Sequence, residues 1–298
     1  MKVAVTGASG LIGTALVDAL RGQGHEVLTL VRRAPTAASE VRWDPHAGTI
    51  EAQRLEGVDA AVHLAGAGVG DRRWSTAYRK AILDSRVSGT TLLAQTLAGL
   101  EHKPGVLLSG SAVGWYGDTG DKLEDESGPR GQGFLAEVVE QWEASTAAAE
   151  RAGIRVCHLR TGIVLSARGG ALKKQLLLYR SGLGGRLGTG KQWQSWISLA
   201  DEVAAIMFLL VAEEVRGPVN LVAPNPVRQD DFAKALGRAL HRPAVVPAPR
   251  FALRLALSGF ADEGVLIGQR LEPRVLQDAG YAFQHSTIDT GLAAALRD

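Results

Sequence analysis

Gly7, Gly10 and Gly13 stand in the run Thr6-Gly7-Ala8-Ser9-Gly10-Leu11-Ile12-Gly13, which follows a short β-branched stretch and opens a helical pattern. A pyrophosphate needs this arrangement: backbone N–H groups turned towards it and a helix N-terminus behind it. Gly7 allows the tight turn, Gly10 lets the backbone approach the phosphates, and Gly13 lets helix and strand pack closely. Ser9, Leu11 and Ile12 complete the expected contact surface of the loop. The end of the second strand then selects the dinucleotide. A ribose 2′-hydroxyl is usually held by Asp or Glu about 20 residues after the loop. Here that place reads Leu30-Val31-Arg32-Arg33. Two guanidiniums suit a 2′-phosphate, by bidentate contact and by stacking on adenine. No carboxylate competes for that place in the sequence, so NADP(H) is expected over NAD(H). The third strand ends at Val62-His63-Leu64-Ala65-Gly66-Ala67, whose small residues let the backbone of Leu64, Ala65 and Gly66 touch the adenosine half. Arg86 is placed to reach the phosphates from the side. His63 precedes an apolar tip and reads as a packed core histidine rather than a base.

The elements that must position these residues alternate. Strands are expected at 3–6, 27–31, 60–64, 105–109 and 155–165, and helices at 11–23, 75–99 and 134–152, with a Pro- and Ala-rich loop after 31. Alternation of this kind implies βαβ units, and right-handed crossovers give a doubly wound α/β fold with a parallel sheet. The second half is less regular. Helices are expected at 172–181, 199–212 and 229–240, a short strand at 219–222, and an extended piece at 281–283. Five glycines between 182 and 190 suit a sharply bending loop. The expected division is a dinucleotide-binding unit, 1–165, with its sheet completed from 196–224. A smaller mixed region, 166–195 with 225–298, covers the substrate side.

Several motifs carry a family resemblance. Thr6–Gly13, Leu64-Ala65-Gly66-Ala67 and Ser111-Ala112-Val113-Gly114-Trp115-Tyr116-Gly117 resemble an extended short-chain dehydrogenase/reductase. Trp142-Glu143, Arg160-Thr161-Gly162-Ile163-Val164-Leu165, the run from Gly184 to Gly190 and Ser195-Trp196-Ile197 are similar to the atypical epimerase-family branch. That branch is sometimes labelled cell-division-inhibitor-like and carries a short C-terminal domain of unknown function. Phe232–Gly237, Arg250–Leu253 and Leu292–Leu296 fit that domain. The resemblance implies an NADP-binding fold with cofactor contacts at Val31, Arg32, Leu64, Ala65, Arg86, Ile163 and Val164. It leaves the reaction open. Ser198 departs from the pattern, which tends to have His after Trp-Ile.

A short-chain reductase typically uses a Tyr and, four residues on, a Lys that lowers the phenol's pKa. Phe134 and Val138 hold those places here, and neither carries a proton. Ser109 and Ser111 end the fourth strand, where the substrate oxygen is usually held. Ser111 and Tyr116 are therefore the candidate catalytic pair, Tyr116 as the acid and Ser111 orienting the oxygen. Glu137 and Glu143 read as a solvated face and a helix-packing contact. Trp193 and Trp196 read equally as substrate cover or core. Two function classes follow: an oxidoreductase or epimerase-like enzyme, or a non-catalytic NADP(H)-dependent sensor or scaffold.

The bulk composition narrows the partners. A net charge of +2 over 298 residues, without a Lys/Arg run, gives no footprint for nucleic acid. No apolar run approaches the length that spans a bilayer, and no His spacing suits a metal. Cys157 is the one cysteine and reads as a buried hydrophobe in a reducing compartment, so a cytoplasmic location is expected. A small-molecule substrate is expected, and the two long helices leave room for a homodimer.

Overall fold

The computed structural model describes residues 1–297. The first half alternates as the hydrophobic pattern requires: β1 Lys2–Thr6, α1 Leu11–Gly22, β2 Glu26–Val31, β3 Glu40–Asp44, β4 Thr49–Ile50, β5 Ala60–His63, α2 Thr76–Gly99 and β6 Val106–Ala112. There follow β7 Leu123–Glu124, α3 Phe134–Ala144, α4 Ala147–Arg151, β8 Arg155–Thr161, β9 Ile163–Leu165 and α5 Gly170–Arg180. The rest comprises β10 Trp193–Gln194, β11 Trp196–Ser198, α6 Leu199–Val211, β12 Gly217–Leu221, β13 Val227–Arg228, α7 Gln229–Ala239, α8 Arg250–Leu257, β14 Arg270–Leu271, α9 Arg274–Asp278 and α10 Ile288–Ala295.

Eight strands form one sheet in the order β12-β8-β6-β5-β1-β2-β3-β4. Every pairing is parallel except β3 with β4. The strand order therefore reverses direction between β1 and β5, which opens a crevice at their carboxyl ends. Helices cover both faces. One apolar layer joins Val3, Val5, Leu16, Leu20, Val62, Leu108 and Leu159 to Ile206 and Leu209 of α6. The other joins Ala4, Leu28, Trp43, Leu93, Leu97 and Leu107. Each fully buried Leu or Val contributes roughly 1.5–3 kcal/mol by leaving water. A third cluster around Trp196, Phe232, Ala233 and Leu292 fixes α7 and α10 to the small parallel pair of β9 and β11.

Four expectations need correction. The Pro-Ala stretch after β2 is a loop only until Ser39, because Glu40–Asp44 adds a parallel strand beside β2. The long helix expected over 134–152 breaks into α3 and α4, where the Thr146 hydroxyl donates to the Glu143 carbonyl at 2.8 Å. The strand expected over 155–165 breaks at Gly162, whose N–H goes to Leu221. A Cβ on Gly162 would lie 2.7 Å from the Ser195 carbonyl oxygen, so only glycine fits the bend. Residues 281–283 pair with no strand.

That last segment has another task. The Asp201 side chain, fully buried in the first turn of α6, accepts from Ser198 Oγ, from the Tyr281 hydroxyl and from the backbone N–H groups of Gln284 and His285. Ser198 caps α6 and lies 3.0 Å from Nδ1 of His285, in the C-terminal segment.

Candidate functional site

The glycine loop sits in the crevice at the strand reversal. Gly7 has φ +68° and lies so close to Leu64 that a Cβ would stand 2.7 Å from the Leu64 carbonyl carbon. A Cβ on Gly13 would lie 2.1 Å from the Gly7 carbonyl oxygen. The first turn of α1 has no side-chain cap and no acidic residue, which leaves its N–H groups for a ligand. Ser9 and Gly10 are exposed there, and Leu11, Ile12, Leu64, Ile163 and Val164 are half-buried around them.

Arg32 and Arg33 separate. Arg32 is exposed and has no ion-pair or hydrogen-bond partner among the described residues. Arg33 is forked onto Glu40, and Nη1 also donates to the Ala34 carbonyl at 2.9 Å. The Arg33 fork is the largest of the influences that hold the Glu40 carboxyl down at about 2. A carboxylate does therefore compete at this place, and it comes from β3, which the sequence pattern does not announce. Of the other expected cofactor contacts, Val31 and Ala65 are half-buried and Gly66 is exposed beside the Arg86 guanidinium. Arg86 donates to the carbonyls of Ala67 and Ile82 and lies 4.8 Å over the Trp142 ring. Burial lowers its pKa to about 10, so it stays charged. His63 is a core residue as read: its Nδ1 meets Thr6 Oγ1 at 2.7 Å, and burial holds it down at about 4.

The candidate catalytic pair also separates. Ser111, at the end of β6, lines the cavity and donates to Glu143 Oε1 at 2.6 Å. Tyr116 lies behind that wall. Its buried hydroxyl donates to Asn220 Oδ1 at 2.7 Å and accepts from Arg160 at 3.1 Å. Burial pushes the phenol up to about 12, against the pull of Arg160. Tyr116 is not among the residues lining the cavity, and its proton is already given to Asn220. Glu143 proves to be neither solvated nor a mere packing contact: Arg160 forks onto it at 2.8 and 2.9 Å. Sequence spacing missed this ion pair because α3 and β8 meet only in the folded chain. Glu137 is exposed, as read. Phe134 and Val138, where the proton carriers are missing, join Trp74, Ile82 and Phe260 in a small apolar cluster. Ser109 is fully buried, away from the cavity wall.

The cavity itself measures about 520 Å³. Its dinucleotide half is Gly7, Gly10–Gly13, Leu64, Ile163 and Val164, and its other half is Gly110, Ser111, Trp142, Leu187, Gln194, Phe260 and Val265. Trp193 stays outside, with the Arg228 and Arg270 guanidiniums 4.1 and 4.5 Å from its ring centroid, and Trp196 is core. A wider groove of about 720 Å³ beside α7 is an open surface. Its Lys234 and Arg238 are already paired with Asp230 and Asp289. Among the described residues no helix is long and apolar enough to cross a membrane, and no cluster of three His, Cys, Asp or Glu could hold a metal.

Comparison with known proteins fits this geometry. Residues 3–221 match the NAD dependent epimerase/dehydratase family, and residues 248–295 match a domain of unknown function, DUF1731. An epimerase family protein of Mycobacterium bovis is 45% identical over 98% of this chain and 97% of its own length. An epimerase family protein of Bacillus subtilis is 33% identical over 100% and 99%. The crystal structure of a human epimerase family protein with NADPH superposes with a TM-score of 0.92 at 31% identity, covering 100% of both chains. By extent of match and by identity, this chain belongs to the NAD dependent epimerase/dehydratase family, in the form that carries a DUF1731 segment at its C-terminal end.

Proposed function

We propose that this protein is an NADP(H)-dependent oxidoreductase that interconverts an alcohol and a carbonyl, with Ser111 and Glu143 in place of the missing Tyr-x-x-x-Lys pair. One observation carries this reading: Ser111 lines the cavity and has its proton directed at a carboxylate. The residues present suit the dinucleotide. The open first turn of α1 would receive the pyrophosphate, and the unpartnered Arg32 would meet the 2′-phosphate. The human relative solved with NADPH supports the phosphorylated form.

When bound, the cofactor accepts or supplies the hydride at the substrate carbon. In the oxidising direction the substrate hydroxyl donates to Ser111 Oγ, and Ser111 passes its own proton to Glu143. The substrate loses one hydride and one proton, and its C–O bond becomes C=O. Reduction runs the same relay backwards. Arg160 fixes the carboxylate against the serine and, with its charge fully retained, cannot itself take the proton.

The test is hydride transfer with NADPH or NADP⁺ across a panel of alcohols and carbonyls. Ser111→Ala is expected to lower kcat by about 100-fold or more and leave NADPH affinity unchanged. Full turnover in that variant would defeat the relay. Tight NADPH binding without turnover of anything would favour the sensor reading instead.

A further inference from the structure

Two long stretches of the chain hold no carboxylate. No Asp or Glu stands between Glu150 and Asp201, and none between Asp231 and Asp262. Within those stretches, residues 170–191 carry five Lys and Arg and residues 240–261 carry three Arg, in a chain whose net charge is only +2. The fold lays the two pieces side by side. The Val246 N–H donates to the Gly184 carbonyl, the Ala248 N–H to Arg186 and the Gly188 N–H to Ala248. Leu187 and Ala248 form a parallel bridge, and Arg242 Nε reaches the Arg180 carbonyl at the end of α5 at 3.2 Å. Pro249 then leads directly into α8.

The same two pieces are apolar as well as basic. Leu177, Leu178, Leu183, Val245, Phe251 and Leu255 are exposed, and Leu177, Phe251 and Leu255 are 71–77% exposed. Apart from Val246, which belongs to the same face, only Met1, Leu123 and Val211 are large apolar residues left open among the described residues. The helix α8 buries none of its residues. Exposed apolar side chains gathered in one region mark an interaction site. Arg180, Arg186, Arg242 and Arg250 accompany them, exposed and without a carboxylate partner among the described residues. Only Lys174 and Arg254 of this set are paired, with Asp71 and Asp262.

The charge and the relief of this face select its occupant. A second copy of the chain, joined face to face, would set these cations against themselves. A protein partner is gripped by pockets around a few anchors, yet Leu177, Phe251 and Leu255 line neither cavity described above. A bilayer asks for no pocket: protruding Phe and Leu enter at the headgroup level, and Arg meets the lipid phosphates. We propose that the face built from the end of α5, residues 182–188, residues 243–250 and α8 docks on an anionic phospholipid surface, lying on it without crossing it. This stands apart from the oxidoreductase reading and does not depend on it.

The experiment floats the full chain with vesicles of phosphatidylcholine, either alone or with about one-third phosphatidylserine. The anionic vesicles are expected to carry the protein and the neutral ones to leave it behind, with binding weakened at about 0.5 M salt. Arg180→Gln with Arg186→Gln lowers affinity for the anionic vesicles by about 25-fold, the worth of two cations near such a surface. Phe251→Ser with Leu255→Ser lowers it by about tenfold or more. Val211→Ser, at an exposed apolar residue of α6, leaves it unchanged. NADPH affinity equal to that of the unaltered chain shows that each variant folds. No binding to anionic vesicles, equal binding to neutral ones, or affinity indifferent to both double substitutions would each overturn the assignment. A dimer in sedimentation that Phe251→Ser with Leu255→Ser dissolves, without vesicle binding, would give the face to a second copy instead.

Discussion

Arg32 and Arg33 are adjacent in the chain and opposite in use. Arg33 is committed to Glu40, and Arg32, just past β2, has no partner among the described residues. Removing Arg32 therefore removes the contact to a 2′-phosphate, whereas removing Arg33 frees a carboxylate beside it. Arg32→Ala is expected to weaken NADPH by roughly 10–100-fold while leaving NADH unchanged, as loss of a charge-assisted bond requires. Arg33→Ala is expected to weaken NADPH less. Fluorescence titration of both variants with both dinucleotides decides it, and the reverse order would give the phosphate to Arg33. At this scale the sequence is legible where neighbours in the chain are neighbours in space. The tight turn at Gly7 and the close packing at Gly13 are legible because the two residues act on each other within one short loop. Glu40 goes unnoticed because β3 itself is not expected, and Glu143 is misread because its partner Arg160 comes from β8.

Among the elements, α1 shows how a helix is bound to the strand before it. Gly13→Ala would drive a methyl into the Gly7 carbonyl, and Gly22, the last residue of the same helix, has open space. Gly13→Ala is expected to cost roughly 1–3 kcal/mol in urea unfolding and to abolish NADPH binding. Gly22→Ala is expected to be neutral or slightly stabilising. Equal stability of the two variants would refute the close-packing argument. Helices and strands with a strong period were legible in the sequence, α1, α2 and α6 to within a residue or two. The breaks were not, because Gly162 is shaped by Ser195 and Leu221, and Thr146 by His158 and Glu143.

The molecule as a whole responds to pH through groups in its core. Glu202 is fully buried, with Oε1 accepting from the Thr161 hydroxyl at 2.9 Å and Oε2 without a partner. Burial pushes its carboxyl up to about 8. The folded chain thus holds a proton that the unfolded chain has lost, and this stabilising contribution is present at low pH and lost as pH rises through about 8. His63 acts in the opposite sense: held at about 4, it costs stability as pH falls from its ordinary 6.5 towards 4. Above 6.5 only Glu202 of this pair still titrates, so Tm is expected to decline from there and to level off once pH passes about 8. Glu202→Gln is expected to flatten that decline, measured by calorimetry, and an unchanged slope would assign it elsewhere. The parallel sheet was legible from alternation alone. The C-terminal region was not, because its short elements are held by distant partners such as Trp196 and Asp201 rather than by their own period.

Asp201 has a consequence for how the protein is made. Its carboxylate belongs to α6, yet two of its backbone donors and a phenol come from Tyr281, Gln284 and His285, some eighty residues later. A ribosome that has released the whole sheet has not yet released those donors. Until it does, the buried Asp201 side chain lacks three of the donors that satisfy it in the finished fold, and the helix over the sheet cannot settle. Packing of α6 onto the sheet therefore waits on residues synthesised some eighty positions later.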